Sequence, residues 1–152
     1  MKLIFSLFLA GFTLAAQAPR AQGHAFVGAE NLAHGTFNAA STGAGADIFV
    51  YKGAAFSPSA AYLFNFANGG GLAVITLNGS YHFLRGKSRF EPFVTAGYGA
   101  LADIGNGVSL FNYGGGGQYW ISKRVGVRVE LLNFQQRQYR ELTSVRFGVA
   151  FR

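Results

Sequence analysis

Residues 145–152 read Val145-Arg146-Phe147-Gly148-Val149-Ala150-Phe151-Arg152 and alternate between two kinds of side chain. Bulky Val and Phe take the odd positions, and Arg, Gly and Ala take the even ones. Because successive side chains of a strand point to opposite faces, the pattern predicts a strand with two different environments. In a soluble sheet the bulky face would turn inward. In a membrane barrel it would meet lipid, while small or charged residues face the lumen.

Length and composition fit a single folded domain. The chain has 152 residues, of which 50% are hydrophobic and only 12% charged, with 22 Gly and 16 Phe. That apolar fraction is enough to form a core and argues against disorder. The absence of cysteine excludes a disulfide scaffold and cysteine-ligated metals.

The first segment has the pattern of a secretory signal peptide. Lys2 gives a positive start, and residues 3–16 form an apolar run too short for a stable membrane span. Cleavage after Gly23 is preferred because Ala21 and Gly23 are small, and cleavage after Ala18 also fits. We therefore expect a signal peptide at residues 1–23 and one domain at residues 24–152, in which no apolar run is long enough for a spanning helix.

The basic balance of the chain does not indicate nucleic acid. Its formal net charge is +7, to which Lys2 and Arg20 of the expected leader contribute two charges. A basic chain can bind nucleic acid or an anionic membrane surface, or have no specific partner. Export argues against a nucleic-acid partner.

The mature part divides into eight strand candidates separated by turn residues. Lys52-Gly53 and Asn106-Gly107 are typical of tight reversals between antiparallel strands. Four consecutive glycines, residues 114–117, indicate either a bulge or a close approach of a neighbouring side chain. Connections in simple order predict a meander whose first and last strands pair. The candidates are residues 25–33, 44–51, 56–66, 72–83, 90–100, 111–121, 125–134 and 145–152.

Three features favour a membrane barrel over a soluble one. The candidates are about 8 to 12 residues long, close to the roughly 9 to 11 that a tilted membrane strand needs. Aromatic residues concentrate near the strand ends, as in interfacial girdles: Tyr51, Phe56, Phe83 and Phe90 at one rim, and Phe66, Phe111, Tyr113 and Phe134 at the other. Polar residues share the other face: Asp47, Thr76, Asn78, Ser80, His82, Asn112, Gln118, Arg128, Glu130 and Arg146.

Several segments carry a family resemblance. They are Phe90-Glu91-Pro92-Phe93-Val94-Thr95-Ala96-Gly97-Tyr98-Gly99, Phe111-Asn112-Tyr113-Gly114-Gly115-Gly116, Tyr119-Trp120, Val125-Gly126-Val127-Arg128-Val129-Glu130 and Ser80-Tyr81-His82-Phe83. With the last strand, they resemble the small bacterial outer-membrane β-barrel family related to the OmpA membrane domain, over most of residues 44–152. The resemblance implies an eight-stranded barrel with both termini in the periplasm, inserted by the outer-membrane assembly machinery. Such barrels commonly end on an aromatic residue, whereas here Arg152 follows Phe151.

Inside the predicted barrel, charged residues need partners because they are removed from water. We therefore expect an interior polar network of Glu30, Asp47, His82, Arg128, Glu130 and Arg146 that fills the lumen. An eight-stranded barrel is just wide enough for side chains, which argues against a general porin.

Two other groups of residues are weaker candidates. Arg137 and Arg140 lie in a predicted outer loop and could contact lipopolysaccharide phosphates, although a solvated loop is the ordinary case. Ser80 and His82 share a face, as a hydrolase would need, but residues i and i+2 on a strand are roughly 7 Å apart.

The sequence thus predicts an all-β fold, an eight-stranded antiparallel up-and-down transmembrane β-barrel after an N-terminal signal peptide, in the outer membrane. The expected role is structural or surface-interactive and non-enzymatic, with no cofactor or metal. The expected partners are outer-membrane lipid, lipopolysaccharide and the assembly machinery, and the protein is expected to be a monomer. The alternatives are a lipid-modifying barrel enzyme and a soluble periplasmic lipocalin-like carrier.

Overall fold

The structure, a computed structural model, describes residues 21–31, 39–66, 69–102, 108–135 and 141–152. These residues form eight strands of 11 to 13 residues each. In chain order the strands are β1 (Ala21–Asn31), β2 (Ala39–Tyr51), β3 (Ala54–Asn65), β4 (Gly71–His82), β5 (Phe90–Ala102), β6 (Val108–Trp120), β7 (Val125–Gln135) and β8 (Glu141–Phe151).

The strands close into a barrel in sequence order. Each pairs antiparallel with the next, and β8 pairs back onto β1 from Gly23 opposite Phe151 to Asn31 opposite Thr143. Closure gives each of the eight described strands a neighbour on both sides, which satisfies their backbone groups. This confirms the predicted eight-stranded antiparallel meander and the pairing of its first and last strands. No helix in the described ranges is long and apolar enough to cross a membrane.

Most strands extend beyond the predicted bounds. β2 begins at Ala39 rather than residue 44, β8 at Glu141 rather than residue 145, and β1 at Ala21 rather than residue 25. Residues 39–43 are small, Ala-Ala-Ser-Thr-Gly, and lie outside the predicted strands, but they pair with β1. Pairing partners on both sides, rather than local propensity, therefore decide where these strands begin.

The strand β1 includes residues 21–23, which were assigned to the signal peptide. Gln22 lies opposite Asp47 in the pairing with β2, and Gly23 lies opposite Phe151 in the pairing with β8. Residues 1–20 lie outside the described part of the chain, so the signal peptide itself stays a prediction. Cleavage after Ala18, the second option, would leave β1 whole.

The two ends of the barrel differ in their connections. We call the end at which residues 52–53, 83–89 and 121–124 connect the strands the turn end. The opposite end, at which β1, β3, β5 and β7 end, is called the loop end. Lys52 in the predicted reversal has a φ of 45° and Leu84 has a φ of 56°, both in the left-handed region. The start of β1 and Arg152 both lie at the turn end.

Pro58 lies within β3 rather than near its beginning. It faces Leu77 of β4, but the β2 pairs are interrupted beside it, between Gly45 opposite Ser59 and Ile48 opposite Phe56. Proline has no N–H to donate, so it is tolerated where the ladder already lacks a bond.

The glycine run of β6 reflects close approach rather than a bulge. The pairing of β6 is uninterrupted on both sides across Gly114–Gly117. A Cβ on Gly116 would meet the carbonyl oxygen of Val129 and lie 3.0 Å from the ring of Phe93. A Cβ on Gly117 would lie 2.6 Å from the ring of Phe90. Glycine is therefore needed here for space.

The outer face of the barrel is apolar, whereas the lumen holds polar and charged side chains as well as apolar ones. All ten polar residues predicted to share one face are buried in the lumen. The outer face exposes large apolar side chains, among them Val27, Ile75, Leu77, Tyr98 and Phe147 at 53% to 68%. Seven of the eight predicted girdle aromatics are exposed, but the prediction for Phe134 is wrong, since it is only 2% exposed. Its even position in β7 places it in the lumen with Arg128 and Glu130.

Candidate functional site in the barrel interior

All six residues of the predicted interior network lie in the lumen, and none is more than 6% exposed. They come from five strands, β1, β2, β4, β7 and β8, which the closed topology brings around one interior. The predicted members are Glu30, Asp47, His82, Arg128, Glu130 and Arg146.

Four of these residues form a continuous chain of opposite charges. The Arg128 guanidinium donates to Asp47 Oδ2 at 2.7 Å and to Glu130 Oε1 at 3.3 Å. Arg146 Nη1 lies 3.8 Å from Glu130 Oε2. Both arginines also lie over aromatic rings, Arg128 at 4.0 Å from the Phe93 centroid. Each buried cation thus has both a carboxylate and a ring against it.

Glu30 joins this chain through a hydroxyl rather than directly. Arg146 Nε donates to Ser144 Oγ at 3.0 Å, and Ser144 Oγ donates to Glu30 Oε1 at 2.9 Å. Ser41 donates to the same carboxylate oxygen. The network therefore runs around the lumen from β2 through β7 and β8 to β1.

Asp47 is also the centre of a smaller group that contains two histidines. His82 Nε2 lies 3.5 Å and His24 Nδ1 lies 4.0 Å from Asp47 Oδ2, while Ser57 donates to Asp47 Oδ1 at 2.7 Å. His82 is packed between the rings of Phe49 and Phe93. His24 is not among the predicted members, because it directly follows the preferred cleavage site after Gly23.

A second polar cluster, which the sequence did not predict, is centred on Glu91. Glu91 is fully buried at the turn end and accepts from Gly86 N at 3.2 Å, Gln118 Nε2 at 2.9 Å and Arg152 Nη1 at 3.3 Å. Gln118 also donates to Gln22. The alternation of side chains along β5 could have predicted it, since Glu91 shares a face with Thr95.

Arg152 closes the turn end over this cluster. Its guanidinium lies 4.1 Å from the ring of Trp120 and donates through Nε to Lys123 O at 3.0 Å. Its backbone N–H donates to Arg124 O. Arg152 therefore contacts Trp120, Glu91 and the 121–124 turn.

Arg85 covers the same end from another turn. Its guanidinium lies 3.5 Å from the centroid of the buried Phe49 ring and donates to Lys52 O at 3.3 Å. Burial lowers the pKa of the Arg85 guanidinium, which still carries its charge at neutral pH.

Apolar side chains cluster in the lumen toward the loop end. They come from five strands and pack as one cluster: Phe26, Ala61, Leu63, Val74, Leu110, Leu132 and Phe134. From the sequence, only the alternating positions of these apolar residues along their strands could predict that they face inward. The described lumen therefore holds an apolar cluster, a charged network and the Glu91 cluster along its length.

The Ser80 and His82 pair lacks the geometry of an activated nucleophile. Ser80 Oγ is hydrogen-bonded to Ser57 Oγ at 2.6 Å, and among the described residues neither nitrogen of His82 has a hydrogen-bond partner. Both side chains are buried in the lumen, 8% and 1% exposed. A hydrolase needs its serine and base in contact, at a place that substrate can reach.

The predicted lipopolysaccharide contacts lie outside the described residues. Arg137 and Arg140 belong to residues 136–140, so their role stays a prediction.

A closed antiparallel barrel of eight strands with a charged lumen and an apolar exterior is the architecture of small transmembrane β-barrels. No family model and no curated protein matches the sequence. Solved structures do match. The N-terminal β-barrel domain of Pseudomonas aeruginosa OprF is 16% identical with a TM-score of 0.68, covering 86% of this chain and 95% of that one.

Two further outer-membrane proteins have the same fold. The attachment invasion locus protein Ail of Yersinia pestis is 9% identical with a TM-score of 0.61, over 86% of this chain and 95% of that one. Neisserial surface protein A is 14% identical with a TM-score of 0.58, over 86% and 94%. The chain therefore has the fold of small outer-membrane β-barrels, as the sequence predicted.

Proposed function

We propose that this protein is a non-enzymatic outer-membrane β-barrel with a structural or surface-interaction role and an interior filled by side chains. The observation that carries the proposal is the inverted distribution of polarity. Charged residues such as Arg128 and Glu130 are 6% exposed in the lumen, whereas Val127, Val129 and Leu131, which alternate with them, are 45% to 49% exposed on the outside. Only a surrounding hydrocarbon phase makes that arrangement favourable.

The same observation argues against a soluble carrier. A lipocalin-like carrier would use its lumen for an apolar ligand and turn polar side chains to water. Here the lumen is occupied by ion pairs, and its apolar part is filled by packed side chains. The short turn end, where β1 begins and β8 ends, would face the periplasm, and the loop end would face the cell exterior.

Fractionation tests the location. We expect the protein in the outer-membrane fraction, and unheated samples should migrate differently from heated ones in gel electrophoresis, because a closed barrel resists unfolding by detergent. Recovery in the soluble periplasmic fraction, or identical mobility before and after heating, would contradict the proposal.

An enzymatic role is the second candidate and has a separate test. Lipid A deacylation or acyl transfer should be equal in membranes that contain wild type, His82→Ala or no protein. Activity that depends on His82 would overturn the non-enzymatic assignment.

A further inference from the structure

The rim of the turn end carries cations, and no exposed Asp or Glu side chain lies among its described residues. Lys52, Lys87, Arg89, Lys123 and Arg124 are all exposed there. The carboxylates whose burial the structure describes, Glu30, Asp47, Glu91 and Glu130, are all buried in the lumen. Within the described ranges, the five exposed cations have no ion-pair partner. This surface therefore attracts anions.

Part of this rim is concave. An open cavity of about 430 Å³ lies between the 83–89 and 121–124 turns. Its lining includes the basic residues Lys87, Arg89, Lys123 and Arg152, together with Trp120 and Ile121. The arginine Arg152 is fixed beside it by Trp120 and Glu91, at 4.1 Å and 3.3 Å. Four cationic residues thus line one space large enough for a phosphate group and its substituents.

The cavity also borders the apolar outer face. Ile121, which lines it, is 63% exposed, and the outward-facing pair Phe90 and Tyr119 beside it is 51% and 46% exposed. A ligand in this place would meet cations at one end and apolar or aromatic side chains at the other. That combination fits an amphiphile at the level where headgroups meet hydrocarbon.

We propose that this cavity is a binding site for the headgroup of an anionic phospholipid, such as phosphatidylglycerol, in the leaflet at the turn end. The phosphate lies among Lys87, Arg89 and Lys123, and the glycerol backbone and acyl chains follow Ile121 and the outer face. The inference rests on the proposed membrane location. It concerns the end of the barrel opposite to the predicted Arg137 and Arg140 contacts.

Trp120 provides a direct probe, because it is the only tryptophan of the chain and lines the cavity. The protein, purified in a nonionic maltoside detergent, is titrated with phosphatidylglycerol, phosphatidylcholine or inorganic phosphate while Trp120 emission is recorded. Native mass spectrometry of the same samples counts the lipids retained. We expect a saturable emission change and retained lipid with phosphatidylglycerol, and weaker effects with the other two.

Matched variants distinguish binding in the cavity from attraction by the overall charge of the rim. The double variant Lys87→Gln/Arg89→Gln removes two lining cations, and the expected loss of affinity for phosphatidylglycerol is about tenfold or more, since charge-assisted contacts to phosphate are lost. Lys52→Gln/Arg124→Gln removes the same charge from the same rim outside the cavity and should leave the affinity within about twofold of wild type.

Several outcomes would overturn this proposal. They are equal binding of phosphatidylcholine, equal binding of inorganic phosphate, an equal loss in both double variants, or no retained lipid and no emission change. Heat-dependent mobility measured on the same preparation distinguishes failure of the proposed lipid site from failure of the proposed membrane location. A heat-modifiable barrel that binds no anionic lipid refutes the site alone, whereas a soluble protein refutes the membrane location itself.

Discussion

Arg128 is the residue on which most of the interior charge depends. It contacts Asp47 and Glu130 directly, and through Glu130 it is linked to Arg146. A charge removed from water is stabilised only while its partners are in place. Asp47 in turn has the two histidines and Ser57 around it. Loss of Arg128 would therefore leave two buried carboxylates without their nearest cation.

Charge reversal at this position tests the network. Arg128→Glu should lower the free energy of unfolding in detergent by about 3 to 5 kcal/mol or prevent folding, because it leaves uncompensated buried charge. Urea titration followed by gel mobility measures the midpoint. Arg124→Glu makes the same charge change on the exposed 121–124 turn and should shift stability by less than about 1 kcal/mol. An unchanged midpoint for Arg128→Glu would show that the network does not stabilise the barrel.

Among the strands, β6 shows most clearly how packing selects residue type. Glycine weakens an isolated strand because it has no side chain to pack and loses more conformational entropy on folding. Four glycines in its middle are tolerated because β5 and β7 approach closely from both sides. The ring of Phe93 lies in the space beside Gly116, and the Arg128 guanidinium lies over that ring.

Adding a methyl group at Gly116 tests this explanation. Gly116→Ala should destabilise the barrel by about 1 to 3 kcal/mol, since its Cβ would meet the Val129 carbonyl and lie 2.9 Å from the Glu130 Cα. Gly79→Ala is the matched control in β4, where a Cβ would meet nothing within 4 Å. It should be neutral or stabilise slightly. Equal effects of the two substitutions on the urea midpoint would contradict the close-approach explanation.

At the scale of the whole molecule, the described lumen holds three different groups of side chains. The apolar cluster lies toward the loop end, the Arg128 network follows, and the Glu91 cluster with Trp120 and Arg152 lies at the turn end. An eight-stranded barrel has little interior space beyond its side chains. A continuous water path through all three groups would require the loss of several contacts at once.

We therefore expect no stable channel. Protein reconstituted into planar bilayers should give no steady single-channel conductance, and Leu132→Ala/Phe134→Ala should remain closed because the two polar groups still fill the lumen. A reproducible conductance step from wild-type protein would contradict the filled interior.

Strand alternation was sufficient to predict much of this arrangement. The parity of residues 145–152 predicted the two faces of β8 correctly, since Arg146 is buried whereas Phe147 and Val149 are exposed. The same rule assigned Arg128 and Glu130 to the lumen. Phe134 and Glu91 obey the same rule, but their inward positions are harder to predict. An aromatic residue near a strand end resembles a girdle residue, and a lone carboxylate resembles a solvated one.

The sequence by itself determined the number of strands, their order and which face of each is polar, because a period of two and local turn residues encode those features. Only the tertiary structure decided where strands begin, which charges pair, and that Arg152 contacts Glu91 and Trp120. Those features depend on contacts between segments distant in sequence, such as the ion pair of Glu91 with Arg152, and on register between distant strands, such as β1 with β8. A barrel fixes that register only when it closes, since closure sets every strand against two neighbours at once.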